Sequence, residues 1–229
     1  MHPDRYSSDV ELRYEAAISE EGTLLSAQMP FACFGAANAF LTLIGPSMGG
    51  PAPNDIVQPG GPNRPAGSPM RIGHYYHFNW QRTRSDRWRR LAAALLGANH
   101  YVDYLTAVLN LDWSNQSNAN DVDHTYLQPG FDEYVWPAIM EIKPRIVCAL
   151  TNAVWQTIES TIRELAVSSP PSFPSSILVP KPPIFFTLPN ADFTSMLLKA
   201  HNHPSQPFLG RKQIEILGDA CTWFRNQVG

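Results

Sequence analysis

The chain is poor in cysteine, in charge and in uninterrupted apolar sequence. Its three cysteines, Cys33, Cys148 and Cys221, lie far apart in 229 residues and form no CxxC pair. An odd number at such spacing argues against a disulfide framework and fits reduced thiols inside a cell. Charged residues make up 16 % of the chain and nearly cancel, with 17 Lys and Arg against 20 Asp and Glu for a formal net charge of -3. With 44 % hydrophobic residues, that balance excludes the disordered, collagenous and strongly basic classes. No apolar run reaches the ~20 residues that a membrane span needs. The longest uncharged stretch, Gly22 to Asn54, is interrupted by Pro30, Asn38, Pro46, Pro51 and Pro53. Asp4, Arg5, Asp9, Glu11 and Arg13 precede any apolar run, which is wrong for a secretory leader, so a cytoplasmic protein without a membrane partner is expected.

Proline and glycine are plentiful, and they punctuate the chain. Between Pro46 and Pro69 stand seven prolines and five glycines, so neither helix nor strand persists and 46–69 is expected to be a long loop. Residues 168–183 form a second Pro-rich loop. Around these breaks, short apolar runs read as buried strands: Ala39–Ile44, stopping at Gly45-Pro46, then Leu105–Leu111, Arg145–Leu150 and Ile184–Leu188. Helical spacing predicts a peripheral helix over 9–19, a helix from the Ser85-Asp86 cap to Gly97, and others over 131–142, 152–165 and 211–227. A short helix is expected around Ser195 to Ala200, and a polar loop from Asp112 to Asp123. Strands alternating with helices specify an α/β fold: a three-layer sandwich around a central four-stranded, mostly parallel sheet. All 229 residues are expected in a single domain, with 1–38 as a peripheral N-terminal extension. Ligands of such sheets bind beyond the carboxyl ends of the strands, where 45–50, 110–116, 150–153 and 201–206 converge.

Those four segments carry a resemblance. Leu43-Ile-Gly-Pro-Ser-Met-Gly49 loosely resembles the turn that follows the first strand in the uracil-DNA glycosylase superfamily, Gly-x-(Asp/Asn/Glu)-Pro-(Tyr/Gly). Ala200-His-Asn-His-Pro-Ser-Gln206 resembles the His-Pro-Ser turn after that family's last strand. Ala107-Val-Leu-Asn-Leu111 is similar to the strand ending in a base-reading Asn, and Pro144–Trp155 to the third strand and the helix behind it. The resemblance runs from about residue 39 to the C-terminus, with the elements in the family's order.

The resemblance implies a hydrolase that cuts the N-glycosidic bond of uracil or a related damaged base flipped out of single- or double-stranded DNA, as a monomer and without metal or organic cofactor. His203 would donate to the base oxygen on which negative charge collects. Asn110, with both donor and acceptor groups, would read the base edge. Phe78 would stack on the base, a role that Tyr75 or Tyr76 would serve equally. Ser47 would hold the water in a turn whose Pro46, Met48 and Gly49 wall the pocket. Ser205 and the apolar wedge Phe208-Leu209 would engage the DNA. The family's water-activating position carries a carboxylate or amide, and here it is Ser47, a poor base near neutral pH. Asp55 or the carbonyl of Pro46 are alternative sources of that function. A non-catalytic nucleic-acid or nucleobase binder that kept the fold and lost this residue is the rival expectation.

Two clusters are read beside the resemblance. Arg82, Arg84, Arg87, Arg89 and Arg90 oppose only Asp86, a local basic patch with Arg84 and Arg87 as candidate phosphate contacts on an otherwise neutral chain. His74 with His77, and His201 with His203, have no Cys or carboxylate at ligand spacing, so no metal is expected.

Overall fold

Runs dense in Leu, Ile, Val and Ala have no polar face to show water, and they become strands covered on both sides. The computed structural model describes residues 33–35, 39–47, 86–97, 105–112, 127–200 and 211–228. Among the described residues, six strands form one sheet: β1 (Cys33–Gly35), β2 (Leu41–Ser47), β3 (Thr106–Asp112), β4 (Ile146–Ala149), β5 (Ile184–Phe186) and β6 (Ser195–Lys199). Their order is β1-β3-β2-β4-β6-β5, in which β3, β2, β4 and β6 are parallel and the edge strands β1 and β5 are antiparallel. Leu41, Leu43, Ile44, Ile146, Val147 and Leu197 are 0 % exposed, as a parallel sheet sandwiched between helices requires.

The helices are α1 (Asp86–Leu96), α2 (Leu127–Gly130), a π-helical turn Phe131–Val135, α3 (Trp136–Ile142), α4 (Asn152–Glu164) and α5 (Arg211–Val228). Right-handed crossovers decide which face each one covers. The connection from β2 to β3 runs in one direction along the sheet and those from β3 to β4 and β4 to β6 in the other, so α1 lies on one face and α2, α3 and α4 on the opposite one. α5 packs on α1, and its Phe224 stacks on Phe185 of β5 while its Trp223 meets the same ring edge-on.

Local chemistry closes the helices where the sequence says it should. Gly97, at φ +66°, ends α1 in the left-handed conformation that glycine tolerates. Thr151 caps α4, its Oγ1 accepting from Val154 N at 3.2 Å, and Val154, Trp155, Ile158 and Ile162 form the buried stripe of that helix.

The structure corrects six expectations. The sheet has six strands rather than four. Ser195–Lys199 is a central parallel strand, not a helix; its hydrogen bonds to β4 and its complete burial outweigh the weak local helical pattern. Ile184–Phe186 is correspondingly an antiparallel edge strand. Gly45-Pro46 does not stop β2, which runs on to Ser47; the ladder to β3 skips Pro46, which has no N–H to give, and resumes at Ser47. Cys33–Gly35, inside the expected extension, is an edge strand paired with β3, and Asp112 belongs to β3 rather than to the loop after it. The helix over 9–19 and the loop from Met48 to Pro69 lie outside the described residues.

Candidate functional site at the sheet's carboxyl edge

Numbered by appearance, the four parallel strands run 2-1-3-4, and the winding direction reverses between β2 and β4. Helices leave these two neighbours toward opposite faces, so a crevice opens beyond their carboxyl ends, where doubly wound sheets bind ligands. The floor of that crevice is fixed by backbone hydrogen bonds: Leu150 N donates to Ile44 O at 3.0 Å, and Ala200 N to Ala149 O at 2.8 Å. The carboxyl ends of β2, β4 and β6 therefore stand level. α4 starts at Asn152, directly after β4, which brings its amide-rich end to the same edge.

Asn110 is 4 % exposed and sits on β3 in register with Gly45 of β2. Residues aligned across a parallel ladder share a face, so Gly45 and Asn110 lie on the same face of the sheet. Two residues further on, Asp112 aligns with Ser47, giving Gly45 and Ser47 of β2 and Asn110 and Asp112 of β3 as a four-position group at the end of the ladder. The end of β3 is packed against α2, where Gly130 lies so close that a Cβ there would overlap the carbonyl oxygen of Leu111.

On the other side of the crevice, β6 delivers the chain to Ala200, three positions before His203. Strands about 4.8 Å apart put β3 and β6 about 14 Å from each other, with the crevice midway.

Of the residues singled out in the sequence, the structure places Asn110 at this edge, Pro46 buried within β2, Ser47 at the end of β2 and Arg87 on α1. His203, Phe78, Met48, Gly49, Ser205, Phe208, Leu209 and Arg84 lie outside the described residues. Sequence reasoning missed Asp112 as an edge residue, although a polar residue at every second position closing the apolar run Ala107–Leu111 is the signal of a strand that continues. It missed Lys199 as well. This lysine is 7 % exposed near the end of β6, and burial, aided by the positive charge of Lys181, holds its ammonium below the ordinary lysine range. Cys148, fully enclosed in β4, has its thiol pushed up to about 12 by burial, which makes it an inert core residue rather than a nucleophile.

Among the described residues no group of three or more His, Cys, Asp or Glu is placed to hold a metal ion, and no helix is long and apolar enough to cross a membrane. An open apolar cleft of about 560 Å³ lies elsewhere, between the C-terminal end of α4 and the 170–185 segment, with Arg163, Phe173, Leu178 and Phe185 in its lining. Because α4 runs back from the carboxyl edge, this cleft sits at the other end of the sheet and takes no part in the site. No protein-family model and no curated protein matches the chain.

Proposed function

We propose that the protein is a hydrolytic DNA glycosylase that removes uracil or a related damaged base flipped out of DNA. One observation carries the reading: the switch-point crevice between β2 and β4 is flanked by Asn110 on β3 and by the end of β6, the strand that leads into His203-Pro-Ser205. The resemblance asks for a histidine turn after the last strand, and with Ser195–Lys199 as a strand that turn follows β6 with only Ala200, His201 and Asn202 between.

In the reaction so read, the C1′–N bond breaks and its electron pair moves onto the base, leaving an oxocarbenium-like sugar that water captures. His203 donates to the base oxygen that gains charge, and Asn110 accepts from and donates to the base edge. The turn after β2 holds the water. DNA is the partner, reached through the basic segment 82–90 and the Phe208-Leu209 wedge, and the protein acts as a monomer without metal or organic cofactor. Ser47, where the resemblance asks for a carboxylate or amide, favours a second reading, a binder of nucleobases or DNA that performs no chemistry.

The test is base release. Single- and double-stranded oligonucleotides bearing uracil, hypoxanthine, xanthine or a thymine mismatch are incubated with excess protein, and abasic sites are counted after alkaline cleavage. The expected outcome is release from at least one substrate, reduced about 10²–10³-fold in His203→Ala, the range for loss of one donor to a developing anion. Asn110→Ala is expected to lower release and to blunt the choice among bases. Tight binding of the same oligonucleotides with no abasic sites establishes the binder instead.

A further inference from the structure

Hydrolysis of a glycosidic bond requires something to accept the proton of the attacking water, and the hydroxyl of serine is a poor acceptor near pH 7. β2 ends on Ser47, and the pairing of β2 with β3 sets a carboxylate residue beside it: Asp112 is the ladder partner of Ser47. Ladder partners stand about 4.8 Å apart at the backbone, and Asp112 is about 6.6 Å along β3 from Asn110 on the same face. Ladder position therefore sets Asp112 beside Ser47 and on the face of β3 that carries Asn110, the proposed reader of the base. Asp55, the other acid considered from the sequence, lies outside the described residues. The end of β3 is packed against α2, where Gly130 lies against the backbone of Leu111, between Asn110 and Asp112. A base that accepts a proton must be held in place, and packing of the strand end on a helix contributes to that.

We propose that Asp112 is the general base of the active site, taking over from β3 the role that Ser47 cannot fill from β2. This rests on the glycosylase reading above. Water's oxygen forms a bond to C1′ as the C1′–N bond breaks, the bond's electron pair leaves with the base, and the water proton passes to the Asp112 carboxylate. The free base departs once it is protonated from solvent or through its hydrogen-bond donors, and Asp112 returns its proton to solvent.

The experiment uses the full chain under single-turnover conditions on the best substrate found above. Asp112→Asn is expected to slow base release about 10²–10⁴-fold, the usual contribution of a positioned base, while affinity for an oligonucleotide carrying the abasic product stays within about twofold. The wild-type rate is expected to fall at acid pH as a single carboxylate is protonated, and this limb is expected to be missing from Asp112→Asn. Added formate is expected to restore part of the rate to Asp112→Ala, a rescue that a merely structural role would not give. Asp219→Asn, at an exposed position of α5, serves as the unaffected control. Release by Asp112→Asn within threefold of wild type overturns the inference and leaves the glycosylase reading standing. Should Asp112→Asn not fold, a wild-type rate without an acid limb down to about pH 3.5, below the ordinary aspartate range, overturns it equally. A wild-type protein that releases no base from any substrate overturns both.

Discussion

Lys199 shows how one side chain's burial becomes a property of the whole fold. Its Nζ donates to the carbonyl of Ala200 at 3.2 Å, with no carboxylate in ion-pair range among the described residues, so its charge is poorly compensated. Its ordinary value is 10.5 and the folded value is lower, so between the two the native state binds fewer protons than the unfolded chain. Stability therefore rises with pH through that window, and below it the charged lysine destabilises the fold in full. Lys199→Met keeps the aliphatic stem and removes the charge. It is expected to melt at a higher temperature than wild type at pH 7, with the gap closing as the pH approaches 10.5. Melting curves at several pH values check this, and a constant gap would refute it. The hydroxyls of Thr42 and Thr106 are the neutral counterpart, buried and without a hydrogen-bond partner among the described residues. The side chain of Ser195, by contrast, donates to Pro144 O at 2.7 Å.

Elements are joined by a few close approaches that admit no substitute. Gly130 stands where α2 meets β3, and a methyl group there would occupy the space of the Leu111 carbonyl. Overlap with backbone cannot be relieved by a rotamer change, so either helix or strand must move. Gly130→Ala is expected to cost at least the ~1–3 kcal/mol typical of overpacking, read as a lower urea midpoint. Since the displaced strand end carries Asn110 and Asp112, base release is expected to fall further than stability alone explains. On the opposite face the guanidinium of Arg225 on α5 donates to the carbonyl of Leu95 and to Thr222 Oγ1, and lies against Gly97, tying the end of α1 to α5. Within α4, Glu159 accepts from Trp155 Nε1 at 2.6 Å and from Arg163 at 2.7 Å, which fixes the buried indole in one orientation.

At the scale of the molecule, and on the proposed glycosylase reading, the charge of -3 limits how DNA would be held. A protein with no basic body must hold phosphate through a local patch, and Arg82, Arg84, Arg87, Arg89 and Arg90 are that patch in the sequence. Removing one arginine–phosphate pair lowers the slope of log affinity against log salt by about 0.7–0.9. Replacing Arg84 and Arg87 together by Gln is therefore expected to reduce the slope by about 1.4–1.8, with little change in which base is preferred, because phosphate contacts position and do not specify. Titration of an abasic oligonucleotide at four salt concentrations measures it; an unchanged slope would place the DNA interface elsewhere.

How far the sequence reached follows from the range of the forces involved. The α/β class, the helices ending near Gly97 and starting at Thr151, and the strands around Leu43, Val108 and Val147 were legible because runs of apolar residues, caps and a left-handed glycine act within a turn or two of chain. Ser195–Lys199 was not, since five residues carry too little local pattern and the hydrogen bonds from β4 decide their state. Strand order was equally out of reach. Only the folded sheet sets Asn110 beside Gly45, Asp112 beside Ser47 and the end of β6 across the crevice from β3, because ladder register and crossover handedness couple residues more than forty positions apart. The sequence by itself determined which residue types were available to the site, and tertiary pairing alone decided which of them became neighbours.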